Sequence, residues 1–154
     1  MRNIFIEAPK SIINEWKSMR RCLTNDISDY NQLTIVVNFW SQAPTMSQHL
    51  LDWDNPKNWP DPWNIINDNK YDEDMIALGM FYSLNYSQCG RWENRIQLAL
   101  VSDQEKTFQH LAIIVDNHYI LNVQYNSIVE ISMQHFTIHQ KYQYQDKIHS
   151  IVIL

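Results

Sequence analysis

The sequence predicts an α+β fold in which N-terminal helices and a buried central helix pack on an antiparallel sheet. Segments with helical spacing fill the first half of the chain, and short β-rich runs fill the second half. Between them, residues 72–84 are apolar on more than one face, which is typical of a helix buried on most sides. Helices followed by strands joined through short turns are the pattern of an α+β domain.

The composition fits one folded domain without a basic surface. With 154 residues the chain predicts a single domain over 1–154, long enough to bury most of the surface that its unfolded form would expose. Hydrophobic residues make up 45% and charged residues 19%, which argues against a disordered chain. The net charge is -5 and the only basic cluster is Lys17, Arg20 and Arg21, so direct binding of nucleic acid is not expected.

No part of the sequence indicates a membrane span or a signal peptide. No apolar run approaches the roughly 18–20 residues that cross a bilayer, and Glu7 and Pro9 interrupt the first apolar residues. Cys22 and Cys89 share no short spacing motif and are too few for a disulfide framework. We therefore expect a soluble protein with free thiols that is not secreted through a signal peptide.

Two segments predict the N-terminal helices. Pro9 marks the start of the first, and the residues before it are interpreted as a short strand or arm. The apolar residues of this first helix recur at three- and four-residue spacing, at Ile12, Ile13, Trp16 and Met19. Residues 33–40 form a continuous apolar run that fits either a strand or a helix. The helix is favoured because Asp29 is placed to cap it.

Residues 45–70 predict a long ordered loop rich in proline and tryptophan. Trp53, Trp59 and Trp63 are the candidate binding residues, since such rings can form a platform for a carbohydrate or a peptide. The interpretation that we favour is structural, because rings of this size pin a loop to the core. Pro62 suits the first position of a short helical turn that includes Trp63.

The central helix is predicted to begin at three acidic residues. Asp72 is well placed as the N-cap, and Glu73 and Asp74 follow in the first turn, where the helix dipole favours negative charge. An N-cap with two acids behind it is an ordinary structural feature, worth roughly 1 kcal/mol for a good contact. That structural interpretation is the default for all three residues.

Short β-rich runs predict an antiparallel sheet in the second half of the chain. The predicted strands cover residues 95–101, 110–115, 119–123, 128–133 and 148–154. Asp116, Asn117 and His118 separate the second of these strands from the third, a composition suited to a tight hairpin.

Two histidines, His135 and His139, lie four residues apart and would share one face of a helix. Tyr142 and Tyr144 alternate instead as in a strand, and no carboxylate motif accompanies the histidines. We therefore expect surface or partly packed histidines rather than metal ligands.

Three elements occur in the order that thiol-based acyl transfer uses. In such a site a cysteine at a helix N-terminus gains thiolate character from the dipole, a histidine on a neighbouring strand is its base, and an aspartate or asparagine orients the histidine. Here the helix that begins at Asp72 is followed by His110 at the start of one predicted strand and by Asn122 on the next. The scaffold is present without its cysteine.

These residues resemble a motif of the transglutaminase-like superfamily, and in particular of the bacterial transglutaminase-like cysteine peptidases. That group has a tryptophan, a proline, a polar turn and Cys-Glu-Asp at the start of its central helix, followed later by a histidine that opens an aliphatic run and by Leu-Asp-Asn. The matching positions of this chain are Trp59, Pro62, Trp63, Asp72, Glu73, Asp74, His110, Leu121 and Asn122. The resemblance covers roughly residues 55–130 and implies a transglutaminase- or papain-like core.

The chain departs from this motif at the nucleophile. Asp72 falls where the family has its cysteine, and Asn122 falls where the family has the aspartate that orients the histidine. An aspartate with an ordinary pKa of about 4 is already ionised, needs no general base and attacks amides poorly. The resemblance therefore implies no catalytic residue and leaves Asp72, His110 and Asn122 as remnant positions. Cys89 follows the helix instead of beginning it, so it would lack the dipole.

A metal ion held by Asp72, His110 and Asn122 is chemically conceivable, because carboxylate and imidazole groups are common ligands. The local spacing of these residues matches no metal-binding motif. Neither a metal nor another cofactor is expected.

The leading functional hypothesis is a non-catalytic structural or assembly protein on a transglutaminase-like scaffold. A small chain rich in asparagine with the run WPDPW also resembles proteins of tailed bacteriophages, which implies a virion component at the neck, tail or baseplate, found in the virion or in the cytoplasm of the host cell. Its partners would be other proteins, and a homo-oligomer stays open. One alternative is an amide hydrolase that uses His110 with Asp72 or Cys89. A second alternative is a module that binds a peptide or small ligand in the remnant cleft.

Overall fold

Four α-helices pack on a six-stranded antiparallel sheet. The computed structural model describes residues 3–47, 49–103, 109–122, 127–133 and 136–154. Within these residues the α-helices all precede the strands, so the predicted α+β class is confirmed.

The order of the elements along the chain is simple. The helices are α1 (Pro9–Arg21), α2 (Asp29–Trp40), α3 (Pro62–Asp68) and α4 (Glu73–Asn85). The strands are β1 (Ile96–Asp103), β2 (Gln109–Val115), β3 (Tyr119–Leu121), β4 (Ile128–Glu130), β5 (Phe136–Gln145) and β6 (Ser150–Ile153). In space the strands lie in the order β4-β3-β2-β1-β5-β6, and every neighbouring pair is antiparallel.

Side-chain caps set the start of the middle helices. Asp61 caps α3 by accepting a hydrogen bond from Asn64 N, and Pro62 occupies the first turn as predicted. The cap of α2 is Ser28 and not Asp29, which corrects the prediction from the sequence. The Asp29 carboxylate lies one residue further in, where tertiary contacts hold it.

Asp29 forms an ion pair with Arg95, which is distant along the chain. Arg95 Nη2 lies 2.7 Å from an oxygen of Asp29 and 2.7 Å from an oxygen of Asp116. These two hydrogen bonds raise the pKa of Arg95, so the guanidinium is charged at every accessible pH. The pair joins the N-terminus of α2 to the start of β1 and to the β2–β3 turn.

The first described residues form a helical turn and not the expected strand or arm. Ile4–Ile6 is a 3-10 turn in which Ile4 and Phe5 are buried. The Phe5 ring lies 5.1 Å from the Tyr71 ring and meets it edge to face. Residues 33–40 form the later part of α2, so the helical interpretation of that run is confirmed.

The core of the protein surrounds α4, in which every residue from Asp74 to Leu84 is buried. Trp16 Nε1 and Trp40 Nε1 both donate to the hydroxyl of Ser83, at 2.8 Å and 2.9 Å. Gly79 lies on α4 one turn before Ser83. Helix α2 comes so close there that a Cβ on Gly79 would lie 2.6 Å from the Trp40 ring. Gly79 is therefore required by the packing of Trp40 against α4.

Replacement of Gly79 by alanine is expected to destabilise the protein by about 1–3 kcal/mol, because overpacking outweighs the better helix propensity of alanine. Chemical denaturation measures the change. In a Trp40→Phe background the same replacement should cost less, since the smaller ring makes room. An equal cost in both backgrounds would contradict the predicted clash.

Apolar side chains cover both faces of the sheet. The face toward the helices carries Leu98, Leu100, Leu111, Ile113 and Leu121. The opposite face carries a smaller buried cluster of Ala99, Val101, Ala112, Ile114 and Ile120. Asp116 and Asn117, both with φ 54, form the predicted tight hairpin turn between β2 and β3.

The second half of the sheet differs from the sequence prediction in its outer strands. The predicted strand over 128–133 is only β4, since Ile131–Met133 is a 3-10 turn, and the predicted strand over 148–154 narrows to β6. β5 was not predicted, because most of its residues are polar and half-buried or exposed. Pairing with β1 on one side and β6 on the other supplies its stability.

Two simpler predictions concern the cysteines and the membrane. Cys22 and Cys89 are free thiols, as predicted. None of the helices in the described parts of the chain is both long and apolar enough to cross a membrane.

Candidate functional site

The N-terminus of α4 begins at a buried aspartate. Asp72 Oδ1 accepts a hydrogen bond from Met75 N at 2.7 Å, and Oδ2 accepts one from Leu50 N at 2.8 Å. Asp72 is 1% exposed. Burial raises its pKa, although these two hydrogen bonds oppose the shift. Both oxygens of Asp72 are thus used to join α4 to the preceding loop.

The acid beside His110 is Glu73. Glu73 Oε2 lies 3.9 Å from His110 Nδ1, and the two side chains are 60% and 14% exposed. His110 Nε2 lies 2.8 Å from the backbone oxygen of Asn122. A carbonyl oxygen only accepts, so Nε2 carries the hydrogen and Nδ1 of the neutral ring is the basic nitrogen. That basic nitrogen faces Glu73.

Asn122 supports His110 through its backbone and supports α4 through its side chain. It directly follows β3 and has a left-handed φ of 69, a conformation that asparagine tolerates. Its Nδ2 donates to Glu73 O at 3.0 Å and to Leu111 O at 3.1 Å. The sequence resemblance implied that the side chain of Asn122 orients the imidazole, whereas the structure shows that its backbone carbonyl does so.

Asp74 joins α4, β2 and the long loop. Its Oδ1 accepts Leu111 N at 2.8 Å, and its Oδ2 accepts Trp53 Nε1 at 2.9 Å and lies 3.4 Å from His49 Nδ1. Asp74 is 0% exposed. The sequence predicted Asp74 only as an acid in the first turn of a helix, and nothing in the sequence pointed to His49. Both were missed as parts of the site because the contacting residues are distant along the chain.

The three candidate binding tryptophans have different surroundings. Trp59 is buried and its Nε1 donates to Asp52 O at 2.7 Å. Trp53 is half-buried, and its carbonyl oxygen accepts a hydrogen bond from the hydroxyl of Tyr142 at 2.6 Å. Trp63 is 38% exposed. Trp53 and Trp59 therefore anchor the loop to the sheet and the site, and Trp63 lies at the surface.

A further histidine, His139, lies at a bulge in β5. Leu100 pairs with Gln140 and Val101 pairs with Ile138, so His139 is the extra residue between them. Its Nε2 lies 2.7 Å from the hydroxyl of the buried Ser102. His139 thus lies on a strand and is partly tied down, and His135 falls outside the described residues.

Cys89 lies beyond the C-terminus of α4. Burial raises the pKa of its thiol, but hydrogen bonds with Arg91, Ser87 and Gln32 outweigh that effect and leave the pKa below its ordinary value. The 13 residues of α4 separate this thiol by roughly 20 Å from the helix start where Glu73 lies. Cys89 therefore cannot reach the basic nitrogen at the other end.

Comparison with known proteins identifies the fold. No family model and no curated protein matches the sequence. Among solved structures, Legionella pneumophila LapG aligns over 89% of this chain and 77% of that chain, with a TM-score of 0.72 and 13% identity. The fold is similar to the transglutaminase-like fold of LapG. The EGTA-treated form of LapG aligns over 89% of this chain and 75% of that chain, with a TM-score of 0.72 and 13% identity. The calcium-bound form aligns over 89% of this chain and 77% of that chain, with a TM-score of 0.71 and 12% identity.

Among the described residues, one group of side chains could hold a metal ion, but it fits calcium poorly. His49, Asp72 and Asp74 offer ligand atoms within 4.8 Å of one another. Calcium takes about 6–8 oxygen ligands. This group offers one nitrogen and two carboxylates, and all four carboxylate oxygens accept N–H groups of the protein. The group is a hydrogen-bonded anchor.

Addition of calcium is therefore expected to leave the Tm unchanged. Thermal melts in millimolar calcium and in EGTA check this expectation. A saturable rise of the Tm in calcium, lost in Asp74→Asn and retained in the exposed control Asp54→Asn, would show that the anchor binds the ion after all.

Proposed function

We propose that this chain is a non-catalytic transglutaminase-like domain that acts as a binding or assembly protein. The observation that carries the proposal is the carboxylate of Glu73 beside the basic nitrogen of His110. An ionised carboxylate has no proton for a base to remove and attacks amides poorly. The thiol of Cys89 belongs to the opposite end of α4.

Within this proposal the lost nucleophile belongs at Glu73, one residue after the position that the sequence resemblance suggests. Asp72 is buried and both of its oxygens are bonded. Glu73 is the first residue of α4, is exposed, and faces the base. A thiol at that position would have both the helix dipole and an imidazole beside it.

Exposed apolar residues at one edge of the sheet support a protein partner. Ile138 of β5, Ile148 of the turn before β6, and Ile153 of β6 are 38%, 58% and 41% exposed. β6 is the last strand of the described sheet, so one side of its backbone pairs with no described strand. Apolar edge strands are places where another chain adds a strand.

A place in the virion of a tailed phage, at the neck, tail or baseplate, is the specific form of the proposal. It is supported by the resemblance of the sequence and by the edge strand described above. The proposal is tested by measuring the mass of the assembly that contains the protein in native material. A ring or a larger particle is expected, and Ile153→Lys should dissociate it; a monomer at all concentrations would contradict an assembly role.

Catalysis is tested with model amide substrates and a thiol-reactive probe on the intact protein. No turnover is expected from the wild type or from His110→Ala. The exposed His118→Ala serves as the matched control. Turnover that is lost in His110→Ala and kept in His118→Ala would overturn the non-catalytic proposal.

Installing a thiol tests the geometry directly. In a Cys22→Ser, Cys89→Ser background, Glu73→Cys should react with iodoacetamide at pH 7 about tenfold faster than Asp54→Cys, because the dipole and His110 favour the thiolate. Adding His110→Ala should remove most of this acceleration. If the thiol of Asp72→Cys reacts fast with iodoacetamide and the thiol of Glu73→Cys reacts no faster than that of Asp54→Cys, the nucleophile position is Asp72 instead.

A further inference from the structure

A groove lies at the end of α4 opposite to Glu73. Its cavity volume is about 680 Å³, and it is lined by the loop between α4 and β1 and by the last residues of β5 with the turn that follows. Glu93 and Asn94 lie on one side, and Tyr144, Gln145 and Asp146 lie on the other. This volume is within the range of small-ligand sites, about 300–1,000 Å³.

The groove offers hydrogen-bonding groups that the fold does not use. Within the described residues, no hydrogen bond or ion pair engages the side chains of Glu93, Asn94, Gln145 and Asp146. Amides and carboxylates at a concave surface present donors and acceptors in planar pairs. Such pairs match the neighbouring hydroxyl groups of a polyhydroxylated ligand.

An aromatic run leads into the groove from α3. The Trp63 ring lies 6.0 Å from the Tyr86 ring, and the Tyr86 ring lies 5.8 Å from the Tyr144 ring. Trp63 is 38% exposed, and Tyr86 and Tyr144 are half-buried. Burial and a hydrogen bond with Tyr144 raise the pKa of Tyr86, so this phenol is neutral at physiological pH. The ring planes are inclined by 37° between Trp63 and Tyr86 and by 71° between Tyr86 and Tyr144, so the run offers separate apolar ring surfaces with polar edges.

We propose that this surface, Trp63–Tyr86–Tyr144 with the groove, binds a neutral oligosaccharide. Aromatic rings pack against the C–H faces of sugars, and planar side chains bind their hydroxyl groups. The groove carries Glu93, Asp146 and one cation, Lys147, and the chain has a net charge of -5, which disfavours nucleic acids and other polyanions. A peptide would need apolar pockets for its side chains, and Tyr144 is the one aromatic ring in the lining. This site is independent of the non-catalytic assignment of the other end.

The test is binding of chitotetraose, cellotetraose and maltotetraose to the intact protein, followed by saturation-transfer NMR and isothermal titration. At least one of the three is expected to bind, with its ring protons saturated by the aromatic residues. Tyr144→Ala should weaken the affinity about tenfold, and Tyr144→Phe should retain most of it, because the stacking surface remains.

The control is Tyr30→Ala, which removes a tyrosine that is 53% exposed on another surface. It should bind like the wild type. The proposal is overturned if none of the three oligosaccharides binds, or if Tyr144→Ala binds as well as Tyr30→Ala. Selection of groove-binding peptides whose binding depends on Tyr144 would assign the surface to a peptide instead.

Discussion

Replacement of Ser83 by alanine is expected to lower the free energy of unfolding by about 2–4 kcal/mol, since it leaves two buried donors without a partner. The hydroxyl of Ser83 accepts from Trp16 Nε1 and Trp40 Nε1 and lies 2.7 Å from Gly79 O, to which it donates. Both tryptophans are 0% exposed, so water cannot replace the lost acceptor. Urea denaturation followed by tryptophan fluorescence measures the effect.

The matched control is Ser18→Ala, a serine on the exposed face of α1. It should change the stability by less than about 0.5 kcal/mol. If the loss in Ser83→Ala stays below about 1 kcal/mol, the two indole groups must find other acceptors, and the central role of Ser83 is wrong.

Replacement of Asp74 by alanine is expected to lower the free energy of unfolding by about 3–5 kcal/mol, because a buried backbone amide and a part-buried indole lose their acceptor. Leu111 N and Trp53 Nε1 would be left unpaired, and His49 would lose its carboxylate. The loop that carries Trp53 should then detach from the start of α4. Unfolding curves give the global loss, and hydrogen exchange of the Leu111 amide reports the local one.

Asp54→Ala, in the same loop but exposed, is the control for the loss of an acid. Its stability and its Leu111 exchange should match the wild type. Asp74→Asn should fall between Asp74→Ala and the wild type, because one amide oxygen still accepts. Protection of the Leu111 amide in Asp74→Ala equal to that in the wild type would refute the anchor.

Local sequence signals predicted much of the fold. The proline at the start of α3, the side-chain cap of α4 and the two left-handed residues of the β2–β3 turn all act within a few positions of themselves. The all-round apolar pattern of residues 72–84 identified the helix that the core surrounds. β5 escaped prediction because its polar residues form a strand only when β1 and β6 flank it.

The candidate site was predicted in its parts and not in its contacts. His110 contacts the backbone oxygen of Asn122, at a sequence separation of 12. The sequence could not decide whether Asp72 or Glu73 faces the imidazole, because adjacent residues at a helix start differ by about 100° in direction. Trp53 and His49 reach Asp74 over separations of 21 and 25, beyond any local signal.

By itself the sequence determined the α+β class, the cap at Asp72 and the absence of a cysteine at the start of the central helix. Periodicity and capping determine these features, and both act over one or two turns of chain. Tertiary structure alone decided that Asp74 is an anchor, that Glu73 faces the base and that Trp63 lies at the surface. These outcomes depend on which distant groups compete for the same buried acceptor or the same apolar surface.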